Sequence, residues 1–257
     1  MLIDCSPDLH SQARKAGLWR CDAILFTHNH VDHIFGLDEV RRFNAVMRGP
    51  IEVYAERYVM EALRRVYKHI FEAAANVNDS FVATLIAREL PDPESVAARP
   101  IDLWGMRFTP VRLLHGRLPI LGFVIEPMKG AGESTASGSP FPLAYCTDVS
   151  AVPTESWQRL TGLRTLVLDA LRHRHHPTHL TLDQAVHVAE RVGADRTYFI
   201  HMAHELGHAQ TEGDLPDGIR LAYDGLVLGE PVPEGKRWRP AKPGGAKAAA
   251  TGRFEEG

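Results

Sequence analysis

The stretch Ala23-Ile24-Leu25-Phe26-Thr27-His28-Asn29-His30-Val31-Asp32-His33 joins a short apolar run to a cluster of side chains that can bind metal. Residues 23–27 predict a buried β-strand, because short apolar runs bounded by polar residues are typical of one. Two histidines spaced i and i+2 in an extended or turning segment can point to one side. The aspartate and histidine that follow then point toward a neighbouring position. One loop could therefore supply ligands to two adjacent metal ions.

The residue types of this loop suit a particular chemistry. Neutral imidazoles and a carboxylate are ligands for zinc, manganese or iron. Two such ions, roughly 3.5–4 Å apart, can activate a water molecule and polarise a phosphoryl or carbonyl oxygen. The alternative interpretation is a solvated polar loop. This alternative is weak, because residues 28–33 contain four side chains that can bind metal.

Further ligands are needed, because one loop cannot complete two coordination shells. The sequence offers three, each directly after an apolar run: His115 after 106–114, Asp148 after 143–146 and His201 after 197–200. Folds of the α/β class usually present functional groups at the ends of strands. Any one of the three could be an ordinary loop residue, but together with the first loop they make a complete two-metal set.

The architecture expected is a layered α/β domain, because predicted strands alternate with predicted helices. The strands are predicted over 2–5, 23–27, 51–54, 106–114, 121–126, 143–146, 165–168 and 197–200, and the helices over 8–16, 38–46, 56–71, 153–160 and 181–192. Thr181 is expected to cap the last helix and Gly193 to end it. Residues 76–100 are not assigned, and 128–140 are expected to form a surface loop.

Composition narrows the classes of protein. The 257 residues allow one sizeable core, assigned to 1–228, followed by a tail at 229–257 that is expected to be disordered. The absence of a long apolar run or signal peptide predicts a soluble cytoplasmic protein. A net charge of -3 gives no basic stripe for nucleic acid. The three scattered cysteines make disulfides or a cysteine-rich zinc site unexpected.

The motif T-H-N-H-V-D-H at 27–33 resembles the signature of the metallo-β-lactamase superfamily, and His115-Gly116, Cys146-Thr147-Asp148 and His201 match its later features in order. Within the superfamily the chain is similar to the PhnP branch, the phosphoribosyl cyclic phosphate phosphodiesterases. The supporting segments are 2–8, 36–38, 176–179 and 222–225. The resemblance implies an αββα four-layer sandwich. It also implies that the usual opening strand and Gly-Thr-Gly-Thr-type loop are missing, through a misassigned start or a truncation.

The resemblance assigns the ligands of two divalent ions, zinc or manganese. One ion would be bound by His28, His30 and His115. The other would be bound by Asp32, His33 and His201. Asp148 would bridge the two ions together with a water or hydroxide.

His179 is the expected proton donor to the leaving group. It precedes His201 by 22 positions, and in the related tRNA 3′-end endonucleases a histidine with this spacing is the catalytic acid. Asp169 matches its acidic partner, and Asp32 is counted as catalytic as well as metal-binding. The alternatives are a helix-capping or surface histidine at 179 and a strand-end turn residue at 169. The other histidines in this part of the chain are weaker candidates. His173, His175 and His176 are interpreted as loop residues that could line the substrate groove rather than as ligands, His204 as a residue that could contact a ligand, and the role of His208 stays open.

The function predicted is hydrolysis of a small cyclic or ribosyl phosphodiester by a two-metal enzyme. Three alternatives stay open: a tRNA 3′-end-type endonuclease, a thioester or lactone hydrolase, and a non-catalytic metal-binding protein. The sequence has no basic Gly-Pro-rich arm of the kind that grips tRNA. The partners expected are the small-molecule substrate and a second copy of the chain in a homodimer, with no nucleic acid and no membrane.

Overall fold

The computed structural model describes residues 1–77, 80–95, 99–128 and 138–229. These residues form two compact units, the first comprising Met1–Pro91 and the second beginning at Asp92. The predicted tail after Gly229 and most of the predicted loop at 128–140 lie outside the described residues.

The first unit contains a parallel sheet whose middle strands are the most buried. Its strands are β1 (Leu2–Ile3), β2 (Ala23–Leu25), β3 (Ile51–Glu56) and β4 (Leu85–Leu90). They lie in that order and are parallel throughout. All three residues of β2 are buried, as a near-continuous apolar strand of a parallel sheet requires. The carboxyl ends of β1 and β2 therefore lie side by side.

Within the described residues, five helices accompany this sheet: α1 (Leu9–Lys15), α2 (Val31–Ile34), α3 (Arg41–Met47), α4 (Arg57–Val66) and α5 (Lys68–Phe71). Two 3₁₀ turns occupy Leu37–Val40 and Ala73–Ala75. The single helix predicted over 56–71 was wrong, because the chain breaks at Tyr67, whose φ is -108° and ψ 44°. The hydroxyl of Tyr67 donates to the Ile34 carbonyl at 2.9 Å, and this buried contact fixes the break.

Gly36 follows α2 at a point where no side chain fits. A Cβ there would overlap the carbonyl oxygen of Ser6 and come within 2.9 Å of the Leu9 Cβ. The Gly36 amide also donates to the Cys5 carbonyl at 2.9 Å, so the turn cannot move away without losing that hydrogen bond. We therefore expect Gly36→Ala to lower the free energy of unfolding by about 1–3 kcal/mol, the usual effect of overpacking.

Urea denaturation followed by circular dichroism measures this loss. Gly49→Ala is the matched control, since the nearest atom to a Cβ at Gly49 is the Met47 carbonyl oxygen at 4.0 Å. Equal stability of the two variants would show that the Ser6–Gly36 approach does not matter.

The second unit is built on a mixed sheet of seven strands. They are β5 (Ile101–Leu103), β6 (Met106–His115), β7 (Leu118–Pro127), β8 (Leu143–Cys146), β9 (Thr165–Asp169), β10 (Arg196–Ile200) and β11 (Ile219–Leu221). The order is β11-β10-β9-β8-β7-β6-β5. The strands from β8 to β11 are parallel, whereas β5 to β8 pair antiparallel.

In the part of this unit that the structure describes, two helices and a 3₁₀ segment accompany the sheet: α6 (Leu182–Val192), α7 (His208–Asp214) and the 3₁₀ turns at Thr154–Leu160. The capping of α6 predicted from the sequence is confirmed. The Thr181 hydroxyl accepts from the Gln184 amide, the Gln184 side chain accepts from the Thr181 amide, and Gly193 ends the helix at φ 65°. The α-helix predicted over 153–160 is instead 3₁₀ in form.

The described residues include no helix with both the length and the apolar character that crossing a membrane needs. All three cysteines are buried and free. Burial raises the pKa of the Cys146 thiol to about 12, so this side chain belongs to the core, as predicted.

Candidate metal centre

The predicted ligands of the first unit lie directly after β2. His30 is in extended backbone, with φ -69° and ψ 153°, and its ring meets that of His28 edge to face at 4.6 Å. Asp32 and His33 are not in an extended loop, because Val31–Ile34 forms the single helical turn α2. Within this turn His33 Nε2 lies 3.4 Å from Asp32 Oδ2, so the two atoms are close enough to share one ion.

Asp4 organises these histidines, although sequence reasoning did not identify it as functional. It lies at the end of β1, and its Oδ2 accepts a hydrogen bond from His33 Nδ1 at 2.7 Å. The amide and hydroxyl of Thr27 donate to the same carboxylate, each at 2.8 Å. The Thr27 hydroxyl accepts in turn from His28 Nδ1 at 3.0 Å. Burial raises the pKa of Asp4, while the hydrogen bonds from His33 and Thr27 lower it.

One signal in the sequence could have revealed Asp4, because it directly follows an apolar run, just as the predicted ligands do. The structure adds that this strand pairs with β2. It also shows that the backbone of Asp4 has a positive φ of 59°. Such a conformation is uncommon outside glycine, and asparagine and aspartate tolerate it best.

Asp4→Asn is expected to weaken metal binding by about 10- to 100-fold, because removing a charged partner behind a ligand usually has an effect of that size. The variant keeps a side chain that suits the positive φ. Competition with a chromophoric chelator measures the affinity. Asp8→Asn is the control, since Asp8 precedes α1 and makes no side-chain cap there. Equal metal affinity in the two variants would remove Asp4 from the site.

The second unit brings its own predicted residues together at the ends of neighbouring strands. His115 is the last residue of β6, Asp148 follows β8, Asp169 ends β9 and His201 follows β10. Asp148 and His201 both have positive φ values, 57° and 60°. The backbone is thus turned sharply at both positions, as is common where functional side chains are presented.

His201 lies between two carboxylates. Its Nε2 is 3.5 Å from Asp148 Oδ2, and its Nδ1 is 3.5 Å from Asp169 Oδ1. Two ligands about 2.1 Å from a tetrahedral zinc ion are about 3.4 Å apart. The Asp148–His201 pair, like the Asp32–His33 pair of the first unit, therefore has the separation that one shared ion requires.

His115 is held in an orientation that suits a ligand. Its Nδ1 donates to the Thr178 carbonyl at 2.7 Å, which places the lone pair of the neutral ring on Nε2. Burial lowers the pKa of His115, while the Asp148 carboxylate raises it. The neutral imidazole that burial favours is the form that binds metal.

His179 is buried against the same group of residues. Its Nδ1 is 3.3 Å from both oxygens of Asp169, and its ring stacks on that of His201 with centroids 4.7 Å apart. The Leu180 amide donates to Asp169 Oδ2 at 3.2 Å. The interpretation of His179 as a surface histidine was therefore wrong, because Asp169 and His201 enclose its ring.

Asp169 has an unusual environment for a carboxyl group. Burial raises its pKa to about 8, with His201 acting to lower it and Asp148 to raise it. The neighbouring His201 and the hydrogen bond from the Leu180 amide are among the contacts that favour the ionised carboxylate. The atoms of Asp169, His179 and His201 that could bind an ion lie within 4.8 Å of one another.

The other histidines divide into two groups. His173, His175, His204 and His208 are exposed. His176 is half-buried, and its ring centroid lies 5.0 Å from that of His179. Among these five histidines of the described chain, the ring contact with the predicted acid is made by His176.

The donor sets in both units fit divalent metal ions. They consist of imidazoles and carboxylates, and His28, His33 and His115 each donate Nδ1–H to a protein oxygen. This arrangement fixes the ring and presents Nε2 as the ligand atom, as metal-binding histidines usually do.

The comparisons with known proteins agree with this chemistry. The family model of the beta-lactamase superfamily domain matches residues 1–202. A solved structure described as a new diphosphatase from the PhnP family is 36% identical, covers 88% of this chain and 77% of that chain, and has a TM-score of 0.72. The chain therefore belongs to the PhnP family of the beta-lactamase superfamily, which confirms the resemblance and the predicted α/β metallo-β-lactamase fold.

Two further relatives are similar to this chain but do not define its activity. A protein of Porphyromonas gingivalis (strain ATCC BAA-308 / W83) named octanoyltransferase is 32% identical over 228 residues, which are 88% of this chain. The chain spans 41% of the length of that relative. The short form of human tRNase Z is 20% identical, with a TM-score of 0.62 and coverage of 90% and 88% of the two chains. The last similarity is one of fold alone.

Proposed function

We propose that the protein is a two-metal hydrolase that cleaves small phosphoesters, with a cyclic or ribosyl phosphodiester as the preferred class. The observation that carries the proposal is the orientation of the histidines. His28, His33 and His115 are held through Nδ1 so that Nε2 is the ligand atom. Membership of the beta-lactamase superfamily, whose relatives include a diphosphatase, supports hydrolysis as the use of these ligands.

Two metal positions are proposed, with the ligands that the family resemblance implies. His28, His30 and His115 form one set, Asp32, His33 and His201 the other, and Asp148 belongs to both. Divalent ions bound there would supply Lewis acidity, which activates water and neutralises charge on phosphoryl oxygens.

The remaining chemistry falls to His179 and Asp169. Cleavage of an alkyl phosphoester produces an alkoxide that needs a proton, and an imidazolium is a suitable donor near neutral pH. Asp169 faces His179 Nδ1, so it would hold the ring with Nε2 free for the substrate, and its ionised form would stabilise the imidazolium. His179 would protonate the leaving oxygen through Nε2 and return to the neutral ring.

The first experiment is a substrate panel on the full chain loaded with zinc or with manganese. It contains bis-p-nitrophenyl phosphate, ribosyl cyclic phosphates and diphosphate esters, the last because a PhnP-family relative is a diphosphatase. We expect about two metal ions per chain by elemental analysis, turnover of at least one phosphoester, and loss of activity with EDTA. A folded sample with under one ion per chain would instead favour a non-catalytic binding protein.

A second candidate function is hydrolysis of an acyl ester or thioester. The observation that favours it is the 32% identity with a protein named octanoyltransferase, of which the chain spans 41%. The same ligand set could polarise a carbonyl oxygen. An octanoyl thioester therefore belongs in the panel, and its turnover without any phosphoester turnover would replace the first proposal by this one.

A further inference from the structure

The loop between β9 and α6 presents a histidine beside His179. Backbone hydrogen bonds close the loop at its base, from Leu171 N to Leu180 O at 3.1 Å and from Leu182 N to Arg172 O at 3.0 Å. Arg172 also donates to the carbonyls of Arg174 and His175, both at 3.3 Å. The loop therefore has a defined shape, and His176 has a defined position in it.

The tautomer of His176 follows from its hydrogen bonds. The Thr178 backbone amide, which can only donate, contacts His176 Nδ1 at 3.3 Å. The Thr178 hydroxyl lies 3.2 Å from the same nitrogen. Nδ1 is therefore an acceptor, and the neutral ring carries its proton on Nε2. Because the two ring nitrogens point in nearly opposite directions, the Nε2–H donor is directed away from Thr178.

The surroundings of His176 suit an anion. Its ring lies against His179, with centroids 5.0 Å apart and planes inclined by 49°. Partial burial lowers the pKa of His176, and so do His179, Arg172, His115 and His175, in that order. Arg172 is a cation and His179 becomes one on protonation, so these two neighbours favour negative charge near the ring. Unlike the buried His179, the His176 ring is half-exposed and accessible to a ligand.

We propose that His176 binds the substrate by donating a hydrogen bond from Nε2 to a phosphoryl oxygen next to His179. This inference rests on the proposed phosphoester hydrolysis and adds a specific recognition residue to it. Thr178 would act as a positioning residue, since it fixes both His176, through Nδ1, and His115, through its carbonyl at 2.7 Å.

Two substitutions separate this role from a structural one. Asparagine places a carbonyl oxygen near the position of Nδ1, so His176→Asn keeps an acceptor for Thr178 but has nothing at Nε2. Glutamine places an amide N–H near Nε2, so His176→Gln keeps the donor but loses the contact with Thr178. A residue that only shapes the turn would tolerate asparagine better, whereas a substrate donor would tolerate glutamine better.

The test uses the metal-loaded full chain and inorganic phosphate as the probe. Calorimetric titration gives the Kd for phosphate, and bis-p-nitrophenyl phosphate gives KM and kcat. We expect His176→Asn to raise Kd and KM about tenfold with a smaller change in kcat, and His176→Gln to stay within about threefold of the parent, given the usual strength of a hydrogen bond to a charged group. Metal content should not change in either variant.

The reverse order, with His176→Asn unaffected and His176→Gln impaired, would overturn the inference and make His176 a turn residue. Equal values for both variants and the parent would overturn it as well. In either case an active parent protein leaves the proposed function standing. A parent protein that loads metal but neither binds phosphate nor cleaves any phosphoester refutes the proposed function, and the role of His176 with it.

Discussion

Asp148→Asn is expected to abolish nearly all activity and to lower the metal content below two ions per chain. The carboxylate lies 3.5 Å from His201 Nε2 and raises the pKa of His115, so it acts on a residue of each proposed metal position. An amide cannot supply the negative charge that the proposed bridge between two cations needs. We expect turnover to fall on the order of 1,000-fold or more, equivalent to about 4 kcal/mol.

The choice of asparagine keeps this test specific. Asp148 has a φ of 57°, a conformation that asparagine tolerates and alanine does not. The buried Thr147 hydroxyl, which donates to Asp148 Oδ1 at 2.7 Å, can donate equally well to an amide oxygen. Folding should therefore be nearly unchanged, and the loss can be attributed to the ligand.

Asp183→Asn is the matched control, because Asp183 lies exposed in the first turn of α6. It removes the same charge from the same unit and should leave metal content and turnover unchanged. Two ions per chain and near-parental activity in Asp148→Asn would contradict the bridging role.

Much of this site was predictable because its residues follow a local rule. Apolar runs that end in histidine or aspartate identified the loop at 28–33 and the later residues His115, Asp148 and His201. Local sequence also located α6, since Thr181, Gln184 and Gly193 carry the signals of its two ends. In each case a few adjacent residues contain both the element and its boundary.

The remaining features depend on contacts between distant residues. Residues 76–100 were not assigned, yet they include β4, whose burial alternates and which forms the edge of the first sheet beside β3. The break at Tyr67 depends on the carbonyl of Ile34, 33 residues earlier. The role of Asp4 depends on His33, 29 residues later. A pattern within one segment cannot show such partners.

His179→Ala is expected to reveal a proton donor through its dependence on the leaving group. For a substrate that releases an alkoxide, we expect kcat to fall by about 10²- to 10⁴-fold, the usual contribution of a general acid. For bis-p-nitrophenyl phosphate the loss should be far smaller, because p-nitrophenolate leaves without a proton. Metal content should remain that of the parent, since His179 is proposed to act on the substrate and not as a ligand.

The contacts of His179 also define a series of variants with graded effects on the alkoxide reaction. Asp169→Asn replaces the carboxyl group 3.3 Å from His179 Nδ1 by an amide that cannot ionise, so it should reduce the alkoxide reaction selectively but less than His179→Ala does. His187→Ala, which alters an exposed histidine of α6, should change neither reaction. If His179→Ala slowed both substrates equally, or released metal, His179 would be a ligand or a structural residue. A loss confined to the alkoxide reaction, with both ions retained, would instead identify His179 as the group that protonates the leaving oxygen. A ligand or a structural residue would not make the rate depend on the basicity of the leaving group.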